Sequence, residues 1–255
     1  KQDTLTMGPK TQEFQNKFAK KHGTKYAYAC SNCTTGMHVI TQLFDIKPGD
    51  EVIVPAITFI ATMAYPLGAG AKLVFADIDP KTLNMDPADV ARKITPKTKM
   101  IVPVHIGGYP VDMDPIMELA KKHDIIVLED AAHGFGGSYK GRKLGTIGHF
   151  GAYSFHEVKN CTSFGEGGIL VTNIPEFRAE ARRARFLGVD FSNKIKNWLY
   201  DVSCIKGKYG PDGFKQMRES LIAGGIVKDI PSTQMQESDW WALIVAIDQN
   251  FGDAA

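Results

Sequence analysis

Two residues near the middle of the chain have types and spacing that could do chemistry. Asp130 follows Glu129 at the end of the apolar run Ile125-Ile126-Val127-Leu128. Lys159 lies 29 residues further on, just past the β-type segment Gly151-Ala152-Tyr153-Ser154-Phe155. A carboxylate held at the end of a buried strand can pair with a protonated ring nitrogen, and an amine can condense with an aldehyde. Alone, neither residue means much, because strand-end acids are common and most lysines are solvated surface charges. The argument rests on their company: His133 three residues after Asp130, Ser154 and His156 ahead of Lys159, and the hydroxyl-rich turn Ser31-Asn32-Cys33-Thr34-Thr35-Gly36.

Those residues need elements to position them, and the pattern supplies a series. Phe14 and Phe18, four apart among lysines, predict an amphipathic helix over 10–22, ended by Gly23 as a left-handed cap. Tyr26 to Cys30 reads as a strand, followed by the turn at 31–36 and a helix carrying Met37, Ile40, Leu43 and Phe44. The free amides at such a helix start can hold a phosphate with help from Thr34 and Thr35, while ordinary capping by Ser31 or Asn32 explains the same residues. Glu51 to Pro55 is a second strand, with a helix expected from about Ile57 and Phe59 near the strand's carboxyl end. Leu73–Ala76 and Met100–Val104, the latter ending at His105, read as further strands. Asp86-Pro87 caps and opens a helix with Asp89 in its first turn, and another helix covers about 114–123. Strands spaced by helices throughout predict an α/β fold: three layers, α/β/α, with a mostly parallel central sheet. Ligands of such sheets sit at the carboxyl ends of strands, where Thr34, Phe59, His105, Asp130 and Ser154 all fall. Beyond Lys159, Gly165-Glu166-Gly167-Gly168 precedes a strand, and an arginine-rich helix is expected over about 176–187.

Composition narrows the classes. Hydrophobic content of 44% and charged content of 23% are those of a soluble globular chain, and a net charge of +2 gives no reason to expect nucleic acid or an anionic membrane as partner. The polar start Lys1-Gln2-Asp3-Thr4 lacks the apolar core of a signal peptide, so a cytoplasmic location is expected. Cys30 and Cys33 form a C-x-x-C pair, but Cys161 and Cys204 stand apart, so buried thiols are expected rather than zinc. A dinucleotide module is disfavoured, because the first turn has one glycine rather than G-x-G-x-x-G. A strand-end acid with a lysine beyond it instead suits pyridoxal 5′-phosphate, which needs a carboxylate on its ring nitrogen and an amine for its aldehyde.

In order, Ser31-Asn32-Cys33-Thr34-Thr35-Gly36-Met37, Pro48-Gly49-Asp50-Glu51-Val52-Ile53-Val54-Pro55 with Thr58-Phe59, Glu129-Asp130-Ala131-Ala132-His133, Ser154-Phe155 with Lys159-Asn160, and Gly165-Glu166-Gly167-Gly168 resemble the DegT/DnrJ/EryC1/StrS family. These are pyridoxal-phosphate-dependent sugar aminotransferases of fold type I. The resemblance covers about residues 5–200. It implies that Lys159 forms the internal aldimine, Asp130 pairs with the pyridine nitrogen, His133 lies by the 3-hydroxyl edge and Phe59 against the ring face. Thr34, Thr35 and Ser154 would hold the phosphate. It further implies ping-pong transfer of an amino group from glutamate or glutamine to a keto sugar, nucleotide-linked or a sugar acid, in a homodimer whose site lies at the interface. A lysine at 159 favours transamination over the dehydratases similar to this family, which carry histidine there. The expected organisation is a large domain over 1–200 and a short atypical carboxyl-terminal segment over 201–255 in place of the family's full small domain. An incomplete site that binds the cofactor without turning over is therefore the alternative.

Overall fold

The computed structural model describes residues 7–185. Cys204 and the segment 201–255 lie outside the described residues. Six α-helices and nine strands follow one another along the described chain: α1 (Pro9–His22), β1 (Tyr26–Cys30), α2 (Cys33–Leu43), β2 (Glu51–Pro55), α3 (Ala61–Gly68), β3 (Lys72–Ala76), α4 (Pro87–Lys93), β4 (Thr98–Ile101), α5 (Met113–His123), β5 (Ile126–Asp130), β6 (Ser138–Tyr139), β7 (Arg142–Lys143), β8 (Phe150–Ser154), β9 (Gly168–Thr172) and α6 (Arg178–Ala184).

Seven strands form one sheet in the order β1-β9-β8-β5-β4-β2-β3. All its pairings are parallel except the two made by β9, which runs antiparallel between β1 and β8. The mostly parallel sheet is thus the observed one. Strands β2, β8 and β9 are buried at every position, as sheets covered on both faces require.

Alternation along the strands divides the core in two. Val52, Val54, Met100, Leu128, Ala152 and Leu170 point to one face, covered by α2, α3 and α6. Ile53, Ile101 and Val127 point to the other, covered by α4 and α5, and Ala27, Ile169 and Val171 continue that face beneath Phe18 of α1. Three layers follow directly from this two-residue period.

Local sequence explains most boundaries. Gly23 takes φ 69° and closes α1, as only a residue without a Cβ does at little cost. The Asp86 side chain accepts from Ala88 N at 2.9 Å with Pro87 at the first helical position. Asp89 is buried rather than merely facing a dipole: the Asp77 N–H that it accepts, and then its pairing with Lys93 and Arg92, hold its carboxyl down at about 2.

Three expectations are corrected. The helix expected from Ile57 begins at Ala61, and 56–60 is an exposed or half-buried connection after β2. The fourth strand does not run to Val104: its ladder stops at Ile101, because Pro103 has no N–H to donate and Val104 keeps only an isolated bridge to Asp130. Helices do not space every strand, since 131–149 joins β5 to β8 through a tight loop and the small β6–β7 hairpin.

Candidate active site

Consecutive residues on β5 leave the sheet on opposite faces, so Glu129 and Asp130 cannot share a task. Glu129 is fully buried. Its carboxylate accepts the N–H groups of Gly145 (2.8 Å), Ile147 (2.6 Å) and Gly148 (2.5 Å) and lies 2.8 Å from His105 Nε2. His105 Nδ1 accepts Val111 N–H at 3.1 Å, so the hydrogen on Nε2 points at Glu129. These bonds peg the loop between β7 and β8 onto the end of β5 in the absence of a crossover helix. His105, expected to end the fourth strand, lies beyond the end of β4, is 0% exposed and serves this internal network, not an open site.

Asp130 emerges on the α2 and α3 side and is 4% exposed. Its Oδ1 accepts Ala132 N–H at 3.1 Å, and its Oδ2 accepts the hydroxyl of Thr62, in the first turn of α3, at 2.7 Å. Sequence reasoning missed Thr62, which no local pattern marks; its hydroxyl lies 2.7 Å from that of Thr58, in the connection before α3.

The loop after β5 turns back so that His133 faces Lys159. His133 Nε2 and Lys159 Nζ are 3.0 Å apart, while Gly107 N lies 3.3 Å from His133 Nδ1. Partial burial, and then the Lys159 charge, lower the His133 pKa, so its imidazole is neutral at neutral pH. Lys159 sits in a loop closed at its neck: Phe155 N donates to Gly167 O (2.7 Å), Ser163 N to Phe155 O (2.9 Å), and Asn160 Nδ2 to Phe135 O (2.9 Å). His156 Nε2 lies 3.5 Å from Glu166 Oε1 at that neck, so its partner is Glu166 and not Lys159.

Cross-strand register brings the hydroxyl turn to the same end of the sheet. Gly168 pairs with Cys30 on one side and Ser154 on the other. A Cβ at Gly168 would lie 2.3 Å from the Asn32 carbonyl carbon, so only glycine lets β9 approach the start of α2 this closely. Asn32 caps α2 in a capping box with Thr35: Thr35 N donates to Asn32 Oδ1 (2.9 Å) and Asn32 N to Thr35 Oγ1 (3.3 Å), while the Thr35 hydroxyl itself donates to Asn32 O (2.9 Å). The capping explanation of this turn is therefore realised, and it occupies both Thr35 donors. The N–H groups of Cys33 and Thr34 precede the first intrahelical bond, Gly36 N to Asn32 O. Cys33 is buried, and desolvation first, then the Asp130 charge, pushes its thiol well up, with Lys159 acting in the opposite sense. Burial pushes Cys30 up to about 11. Phe59 is 71% exposed in the connection after β2, and Ser154 is buried at the end of β8 with its Oγ accepting His156 N–H. Among the described residues no cluster of potential metal ligands occurs, and no helix is long and apolar enough to cross a membrane.

The α/β/α fold is that of the pyridoxal-phosphate aminotransferases found among similar solved structures. An aminotransferase from Psychrobacter cryohalolentis is 44% identical, with a TM-score of 0.66 over 71% of this chain and 45% of that one. Spr1654 of Streptococcus pneumoniae in its PLP form is 32% identical, with a TM-score of 0.67 over 72% of this chain and 50% of that one. The chain belongs to the DegT/DnrJ/EryC1/StrS aminotransferase family, whose model matches residues 1–210. GDP-perosamine synthase of Caulobacter vibrioides is 40% identical over 215 residues, 83% of this chain and 58% of that protein. MJ1066 of Methanocaldococcus jannaschii is 39% identical over 215 residues, 82% of this chain and 55% of that protein. The chain thus spans little more than half the length of these curated relatives.

Proposed function

We propose that the chain carries the cofactor-binding half of a pyridoxal-phosphate-dependent sugar aminotransferase. The observation that carries this reading is the approach of Lys159 Nζ to His133 Nε2, 3.0 Å, on the same side of the sheet end as the buried, doubly hydrogen-bonded Asp130. The donor set fits the cofactor: an acceptor-only carboxylate for a ring N–H, an amine for the aldehyde, and amides plus hydroxyls for a phosphate.

When bound, pyridoxal phosphate acts as an electron sink for a carbanion next to nitrogen. Asp130 would pair with its ring nitrogen and keep that nitrogen protonated. Lys159 would hold the aldehyde carbon covalently and, once freed, carry a proton to and from the substrate's reacting carbon. His133 would sit at the 3-hydroxyl edge and Phe59 against the ring. Ser154, Thr34 and the amides at the start of α2 would hold the phosphate. Thr35 would join them only by giving up its hydroxyl's bond to Asn32 O.

The amino donor in this reading is glutamate or glutamine, and the acceptor a keto sugar, nucleotide-linked or a sugar acid; the name of the Caulobacter relative supports the nucleotide-linked case. The chain would work in the cytoplasm as a homodimer with the site at the interface, residues 1–200 forming the large domain and 201–255 a short carboxyl-terminal segment. A second reading is a cofactor binder without turnover, which an absorbance spectrum separates from the first.

An absorbance spectrum after incubation with pyridoxal phosphate, before and after L-glutamate, tests the proposal. A yellow band that shifts to the colourless amine form supports the aminotransferase. A band unmoved by glutamate or glutamine supports the binder, and no band removes both.

A further inference from the structure

A polar chain on the Asp130 side of the sheet links that acid to two threonines given no role above. Thr62 is 1% exposed, and its hydroxyl lies 2.7 Å from Asp130 Oδ2 across 68 residues of sequence. The hydroxyl of Thr58 lies 2.7 Å from that of Thr62. A carboxylate only accepts, so the Thr62 hydrogen belongs to Asp130, and the Thr58 hydrogen must then belong to Thr62. The alternative acceptor for Thr58, the Phe59 carbonyl oxygen at 3.4 Å, is much the longer contact. The hydrogens therefore run in one direction: Thr58 to Thr62 to Asp130.

We infer that Thr62 is a positioning residue for the cofactor's ring nitrogen, acting through Asp130. This inference rests on the cofactor reading above. With Ala132 N–H on Oδ1 and Thr62 on Oδ2, both carboxylate oxygens are held and the side chain cannot turn about its Cβ–Cγ bond without losing a buried bond. The ring nitrogen then meets a carboxylate of set orientation, so less ordering is left for the binding step. Because Thr58 adjoins Phe59, the same chain ties the connection carrying that exposed ring to the acid beneath it.

Equilibrium dialysis of the full chain separates this role from a merely structural one. The ligands are pyridoxal phosphate and its 1-deaza analogue, whose ring carries C–H where the nitrogen stood. T62V keeps the side-chain volume and removes the hydroxyl, whereas T62S keeps the hydroxyl. Expected are about a tenfold loss of pyridoxal phosphate affinity in T62V, wild-type affinity in T62S, and unchanged affinity of T62V for the deaza analogue. Equal losses for both ligands in T62V would make Thr62 structural and overturn the inference, as would wild-type affinity of T62V for pyridoxal phosphate. Failure of the wild-type chain to bind pyridoxal phosphate better than the analogue would instead overturn the pairing of Asp130 with the ring nitrogen, and this inference with it.

Discussion

Glu129 and Asp130 are adjacent in sequence, yet their carboxylates serve opposite faces of the sheet. Glu129 fastens the 145–148 loop and His105 on the α5 side, whereas Asp130 meets Thr62 on the α3 side. One acid of the pair therefore builds the fold, and the other is left free for the role proposed for it above.

The Glu129 side of that division is measurable as stability. In E129Q an amide nitrogen replaces one acceptor oxygen and confronts backbone donors that have no other partner. The expected cost is about 3 kcal/mol of unfolding free energy, read from urea titration. A change within experimental error would mean that the loop holds itself.

On the Asp130 side, D130N should retain the cofactor through its other contacts but cut turnover by several orders of magnitude, because a neutral amide does not keep the ring nitrogen protonated. Single-turnover kinetics with glutamate give the comparison, and near-normal rates would remove Asp130 from this role.

K159A should bind pyridoxal phosphate without forming a covalent link. Borohydride reduction followed by peptide mass analysis should find the cofactor on Lys159 in the wild type and nowhere in the variant. An adduct on another lysine of the wild type would move the site.

The pH dependence of folding should carry a mark of His149. Its Nδ1 accepts Val127 N–H at 2.9 Å, and burial lowers its pKa from 6.5. Below about pH 6.5 the unfolded chain binds a proton that the folded chain resists, so stability falls as pH drops from there toward the folded value. His22 and His133, also lowered chiefly by burial, add to the same slope. H149N, whose Oδ1 can accept the same N–H, should flatten the stability profile between pH 7 and 5. An unchanged slope would exclude His149 as a contributor.

Much of this molecule is written locally. Gly23 ends α1, Asp86-Pro87 opens α4, and unbroken apolar runs become strands buried on both faces, because caps, turns and periodicity act within a few residues of themselves. The order of motifs from Ser31 to Gly168 was likewise enough to point to the family and to single out Lys159 and Asp130. Other features were settled only when the sheet assembled. Placing β9 between β1 and β8 presses Gly168 against Asn32, and setting β5 beside β8 gives Glu129 its loop. Thr62 reaches Asp130, and His105 withdraws into the core, for the same reason. A buried polar group must find its partner wherever the fold brings one, and sequence distance does not record where that will be.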